Sequence, residues 1–263
     1  MPRIPDVLQR AVAFLYPDVG SAESGFSTGG TGFFVEVSTS EGEHTFLVTN
    51  IHVAGTGCTI ARIDSQDGKS TVLDLGNPVF HPYGDDVAVF PIAPDNVLEM
   101  TPLKWSAVAA TSQRLQELNA GVGDEVFMLG RFVSLAGRQR NDPLARFGNI
   151  AMMPGEPVID GRGLKVEAFL VEMRSLSGFS GSPVFIYMGP GTYRGDGRMM
   201  PFYKEQIGLI GIDTGHFKVD WGRGEDGEPT VKLNSGISIV APVWKIAEAV
   251  SDALDGQEIV QGE

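Results

Sequence analysis

A single cysteine, a shortage of basic side chains and the absence of any long apolar run set the first limits on this 263-residue chain. With Cys58 alone, no intramolecular disulfide can form, so stability must come from packing, and a reducing compartment, the cytoplasm, is expected. Pro2 to Tyr16 carries Asp6, Gln9 and Arg10, and its longest apolar run, Ala11 to Tyr16, is too short for a signal-peptide core. Export of a processed form is not excluded by this. No stretch reaches the length of a membrane-spanning helix. Twenty Lys and Arg stand against 33 Asp and Glu, a formal charge of −13, so nucleic acid and anionic membranes would be repelled and neither is expected as a partner. Salt screens that field over about 10 Å, which leaves only a weak preference for cationic substrates. His44, His81 and His216 are too scattered for a recognisable metal site; no metal and no cofactor is expected.

What the chain has in quantity is glycine, 34 residues, and short apolar runs between Gly, Pro, Asn and Asp clusters. The runs are Val12 to Tyr16, Gly32 to Val37, Phe46 to Thr49, Cys58 to Ile63, Val87 to Ile92, Glu125 to Leu129, Ala168 to Met173, Val184 to Tyr187, Ile207 to Ile212 and Ile237 to Val240. Runs of this length and spacing predict a mainly β protein, with glycines serving sharp bends. The length and the 42% hydrophobic content allow one large domain or two lobes, and two barrels of roughly a hundred residues each would fit. Val243, Ile246, Ala247, Val250 and Leu254 share one helical face after Pro242, predicting a C-terminal helix over 243–254. A shorter helix is expected over Ser112 to Leu118. Prolines and polar residues between Pro91 and Ser106 mark a lobe boundary, giving lobes 1–105 and 106–263. Asp220 to Glu228 reads as a mobile surface loop, and Gly256 to Glu263 as a frayed tail.

Three segments carry chemistry. Gly178-Phe179-Ser180-Gly181-Ser182-Pro183 presents a serine in a glycine-framed turn before the strand-like Val184-Phe185-Ile186-Tyr187. Serine is a poor nucleophile without a base, and the base needs an orienting acid. Thr49-Asn50-Ile51-His52-Val53-Ala54 offers a histidine after the apolar Phe46-Leu47-Val48, and Asp85-Asp86-Val87-Ala88-Val89-Phe90 offers a carboxylate beside another apolar run. Singly, each has a plain structural reading: a turn serine, a partly buried histidine, a strand-start cap that Asp85 could supply as well as Asp86. Together, in the order His52, Asp86, Ser180, they make a candidate Ser-His-Asp triad. Asp86 is preferred because Val-Ala-Val follows it directly; Asp85 reads as its solvated neighbour.

On these motifs the chain resembles the trypsin/chymotrypsin-fold serine endopeptidases of bacterial type. Members carry a histidine after a strand, an Asp-(Ile/Val)-Ala stretch and Gly-x-Ser-Gly-(Gly/Ser)-Pro, in this order. The strong matches cover about twenty residues; Gly30 to Phe34 and Gly208 to Ile212 extend the likeness weakly along the chain. The resemblance implies two six-stranded antiparallel β-barrels with a closing C-terminal helix. It also implies hydrolysis of protein or peptide amides through an acyl-enzyme, with His52, Asp86 and Ser180 as triad and the backbone N–H groups of Gly178 and Ser180 as oxyanion hole. Substrate contacts would come from Arg174, Ser175, Thr214, Gly215 and His216, a polar or acidic primary pocket in which Asp213 neutralises Arg174 and His216 or favours a basic side chain. Digestive members carry aspartate just before the nucleophile, where this chain has Phe179, and no Ile-Val-Gly-Gly-like stretch lies near the start, so the site is expected to form without zymogen-type cleavage.

Two other hydrolase readings fit poorly. The α/β-hydrolase elbow needs a helix where Pro183-Val184-Phe185 stands, and the opposite residue order. Cys58 lies six positions after His52, has no glycine-framed turn, and reads as a small buried apolar residue. A protease-fold binding or adaptor protein with a closed or malformed cleft is the alternative from another class.

Overall fold

The computed structural model describes residues 3–25, 29–64, 70–93, 100–133, 140–193, 197, 199–200, 206–223 and 229–260. Strands β1 (Val12–Tyr16), β2 (Gly30–Thr39), β3 (Gly42–Thr49), β4 (Ile60–Asp64), β5 (Ser70–Asp74), β6 (Val79–Phe80), β7 (Ala88–Ile92) and β8 (Leu103–Lys104) form one sheet. Its order is β5-β4-β1-β2-β3-β7-β6, with β8 parallel to β2. β1 is buried along its whole length, which is why it reads as an unbroken apolar run rather than an alternating one. A second set, β9 (Glu125–Gly130), β10 (Leu144–Met152), β11 (Val158–Ile159), β12 (Lys165–Val166), β13 (Phe169–Glu172), β14 (Pro183–Met188), β15 (Gln206–Arg223) and β16 (Pro229–Pro242), follows in sequence. Six of these close a barrel in the order β10-β13-β16-β15-β14-β9, while β11 and β12 pair as a separate hairpin.

The mainly β, double-barrel architecture with a C-terminal helix is thus present, with a difference between the lobes. The second barrel is closed; the first is a curled half-barrel whose edge strands β5 and β6 are joined by no ladder among the described residues. β6 is two residues long and β5 is only half-buried.

Each of the ten expected runs coincides with a strand, with Cys58, Thr59, Val87, Ala168 and Met173 just beyond the strand ends. Six strands, β5, β6, β8, β10, β11 and β12, lie outside those runs; the longest, β10, carries no clear signal because Arg146, Gly148 and Asn149 interrupt Leu144, Phe147 and Ile150 and its outer face is exposed. The expected loop at Asp220 is corrected as far as Arg223: these residues continue β15, pairing Trp221 with Val231 and Arg223 with Pro229, while 224–228 lie outside the described residues. The tail is likewise tied down rather than frayed up to Val260. Val260 N–H donates to Ser38 O at 2.9 Å and Ser251 Oγ to Gln257 O at 3.0 Å; residues 261–263 lie outside the described residues.

The C-terminal helix (Val243–Ala253) buries Val243, Ile246, Ala249 and Val250. They join one apolar cluster with Phe33, Val48 and Val89 of the first sheet and Phe127, Phe185 and Leu209 of the barrel, so the helix clasps both lobes. The short helix Ser112–Glu117 opens on Thr111, whose hydroxyl accepts from Arg114 N–H. Among the described residues no helix is long and apolar enough to cross a membrane.

Ile246 is fully buried between the lobes, so Ile246→Ala should cost about 2–5 kcal/mol of unfolding free energy, measured as a lowered urea midpoint at unchanged slope.

Candidate active site

His52 sits on the one-turn helix Ile51–Ala54 that begins where β3 ends. Asp86 lies two residues before β7, and because β3 and β7 are hydrogen-bonded neighbours, two segments 34 positions apart are delivered side by side. Asp86 is almost fully buried and holds the His52 residue twice. Its Oδ2 is 2.6 Å from His52 Nδ1 and its Oδ1 accepts the His52 backbone N–H at 3.0 Å. The Asn50 side chain donates to Asp86 O at 2.8 Å, fixing the acid's own backbone. A carboxylate at Nδ1 keeps that nitrogen as the donor and leaves Nε2 as an acceptor facing outward, where the ring is 40% exposed.

Ser180 stands on the other lobe, in the turn before β14, and the two lobes meet through Thr31 of β2. Thr31 Oγ1 donates to Gly178 O at 2.7 Å and accepts from Arg131 N–H at 2.9 Å. Thr31 N–H donates to Ser180 O at 2.8 Å, and Thr31 O accepts from Thr49 Oγ1 at 2.7 Å. A Cβ placed on Gly30 would lie 2.7 Å from Val53, the neighbour of His52, and 3.0 Å from Ser180 O. The serine turn and the histidine turn therefore converge on one point. Gly178 and Gly181 both have positive φ, +97° and +89°, and a Cβ at 181 would be driven into Thr31 O. The turn is anchored below by Gly181 N–H to Asp213 O and Asp213 N–H to Ser182 O, both 2.9 Å.

Among the described residues the Ser180 hydroxyl makes no hydrogen bond, so serine and His52 Nε2 are not bonded in this state, and the N–H groups of Gly178 and Ser180 donate to no protein acceptor. Phe179 is fully buried in the barrel's core, with the Arg146 guanidinium over its ring at 5.6 Å. The place where a digestive relative would keep a carboxylate is thus filled by apolar packing.

Of the expected substrate-contact residues, Ser175 is brought against Asp213 and Arg174 is not. Ser175 is buried and its Oγ donates to Asp213 Oδ2 at 2.7 Å, while Arg174 is exposed. Asp213 thus faces a serine instead of neutralising Arg174. Burial pushes its carboxyl up to about 8, only partly offset by the Ser175 hydroxyl and the Gly215 N–H, which favour the charged form. Thr214 Oγ1 donates to Ile239 O at 3.1 Å. Gly215 has positive φ, and His216 is half-buried, with burial and then Lys218 pulling its pKa down.

Residues besides the three candidate catalytic ones also bear on the site. Arg162, at the tip of the β11–β12 hairpin, reaches Asp86 Oδ2 with Nη1 at 3.2 Å. Asp85 is not a merely solvated neighbour: its Oδ2 is 3.2 Å from Lys245 Nζ and 3.6 Å from His81 Nδ1. His81, scattered from the other histidines in sequence, does gather Asp85 and Glu248 around it, Glu248 Oε2 lying 2.8 Å from Nε2. Lys245, 3.5 Å from the same Glu248 oxygen, already supplies this group with a cation. Cys58 is buried beside Thr56.

No family model matches the chain, and no curated protein matches its sequence. Among solved structures it is similar to Deg5, at 17% identity over 94% of this chain and 91% of that one, TM-score 0.55. It is similar to the apo MamO protease domain from Magnetospirillum magneticum, at 14% identity over 92% and 96%, TM-score 0.51. It is also similar to the HtrA-type protease AlgW with a decapeptide, at 18% identity over 94% of this chain and 66% of that one, TM-score 0.53. At such identities the likeness is one of fold: this is the two-lobed trypsin/chymotrypsin fold.

Thr31→Val keeps the shape but removes the hydroxyl that donates to Gly178 O and accepts from Arg131 N–H in a fully buried seam; a loss of about 2–4 kcal/mol in chemical denaturation is expected. Asp213 gives a pH test. Its folded pKa, near 8, lies above the unfolded value of about 4, so its contribution to stability is full below pH ~4 and lost as pH rises toward 8. Asp213→Asn removes that loss, and its melting temperature relative to the native chain should climb by several degrees between pH 5 and pH 8.5.

Proposed function

We propose that the chain is a serine endopeptidase acting on protein or peptide substrates, with Ser180, His52 and Asp86 as its triad. The observation that carries this reading is the double grip of Asp86 on His52, side chain and backbone, on a turn packed against the turn of Ser180. Ser180 Oγ attacks the scissile carbonyl carbon while His52 Nε2 takes its proton, and Asp86 steadies the imidazolium through Nδ1–H. The oxyanion that forms is met by the N–H groups of Gly178 and Ser180, which no protein acceptor occupies among the described residues. Collapse expels the amine with the proton from His52 and leaves an acyl-enzyme on Ser180, which water then hydrolyses by the same proton path. The unbonded serine hydroxyl needs only to tighten onto Nε2 when substrate seats.

Substrate residues flanking the cut would lie along Arg174, Ser175, Thr214, Gly215 and His216, above a floor made polar by Ser175 and Asp213. The division into lobes 1–105 and 106–263 places base and acid on one lobe and nucleophile on the other. No cofactor is needed, zymogen-type cleavage is not required where Phe179 packs in the core, and the lone cysteine favours the cytoplasm. A second reading, a protease-fold protein that binds peptides without cutting them, is favoured by one observation, the serine hydroxyl standing free of His52.

A fluorophosphonate probe separates the two. The peptidase should be labelled at Ser180, with labelling abolished in Ser180→Ala, and His52→Ala should lower turnover by about 10⁴–10⁶ on a peptide substrate. Folded native chain that takes up no probe would instead establish the binder.

A further inference from the structure

We infer that Arg162 is a positioning residue that restrains the triad by sharing the carboxylate oxygen His52 depends on; this rests on the peptidase reading above. Asp86 Oδ2 is contacted by His52 Nδ1 at 2.6 Å and by Arg162 Nη1 at 3.2 Å, from opposite lobes. The arginine is held on aim rather than left to sample the surface. Asp160 Oδ2 accepts from its Nε and Nη2, both at 2.8 Å, and Asp160 Oδ1 accepts the backbone N–H of Arg162 and Leu164. Those bonds fold the hairpin tip into a rigid cradle, and they pull the Asp160 carboxyl below its usual range despite its burial. Asp160 takes up the Nε and Nη2 edge of the guanidinium, which leaves Nη1 to reach Asp86.

The electrostatic consequence follows from what the triad must do. In the transition state a positive imidazolium forms against Asp86, and a fixed guanidinium on the same oxygen both weakens that carboxylate as an acceptor and repels the new cation. Arg162 and the Asn50 side chain are groups besides His52 that hold Asp86, and Asn50 is uncharged, so among the described residues the guanidinium is the charged source of the restraint. The hairpin it comes from belongs to neither barrel, so its docking on Asp86 ties a peripheral segment to the reaction centre.

The His52 Nδ1 proton, seen far downfield in the proton NMR spectrum because it is donated to a carboxylate, reads the restraint without any substrate. It should move further downfield in Arg162→Ala, stay near its native position in Arg162→Lys, and move the same way by less in Asp160→Asn, where the guanidinium loses its cradle. On a peptide substrate Arg162→Ala should raise turnover roughly three- to tenfold with little change in KM, as expected for a charge removed at a half-exposed site. An Nδ1 proton at the native position in folded Arg162→Ala overturns the inference. If no variant cleaves any peptide, the peptidase reading fails separately, and the resonance still decides whether Arg162 weakens the Asp86 contact.

Discussion

Thr31 is the constraint on which the site depends. Its N–H, hydroxyl and carbonyl are all committed, to Ser180 O, to Gly178 O and Arg131 N–H, and to the Thr49 hydroxyl. A fully buried residue on β2 thereby fixes the serine turn of one lobe against β3, the strand that leads into the His52 turn of the other. Such a seam is specific because it is dry: each polar group left unpaired there costs about 1–3 kcal/mol, so the two turns cannot slip past one another cheaply. The C-terminal helix reinforces the same joint from outside by burying Ile246 and its neighbours among residues of both lobes.

Asp86 is the second hub. Buried to within a few per cent, it would be expensive as a bare carboxylate, and donors to its oxygens offset that cost: Nδ1 and the backbone N–H of His52, and the guanidinium of Arg162. The adjacent turn is anchored in its own right. His81 Nδ1 accepts from the N–H groups of Tyr83 and Asp85, while its Nε2 faces Glu248 on the C-terminal helix. The acid is therefore framed by the helix behind it and by the β11–β12 hairpin before it, so groups on both sides bear on its charge.

Much of this was legible in sequence because the signals are local. Fully buried strands such as β1 and β14 show as unbroken apolar runs, Pro242 and the spacing of Val243, Ile246 and Val250 announce a helix, and glycine at 178 and 181 marks a turn with positive φ. What stayed hidden was either weakly patterned or long-range. β10 has one face in solvent and a broken apolar pattern. Thr31 is an ordinary threonine in a strand; only the weak Gly30 to Phe34 likeness touched it, and nothing in that stretch says its partners lie 147 and 100 positions away. Arg162 and Asp160 sit in a segment with no motif, and Asp213, expected to neutralise Arg174 and His216 or to favour a basic side chain, is buried against Ser175.

The sequence by itself determined the more apolar strands, the closing helix and the identity and order of the three candidate catalytic side chains, since backbone preference and apolar periodicity act over a few residues at a time. The tertiary structure alone decided that the first sheet has no closing ladder among the described residues, that burial pushes the Asp213 carboxyl up, and that an arginine from a side hairpin shares the Asp86 carboxylate with His52. Those outcomes turn on which groups share one dry volume after the lobes meet, and desolvation and Coulomb energy depend on distances between segments that no local pattern encodes.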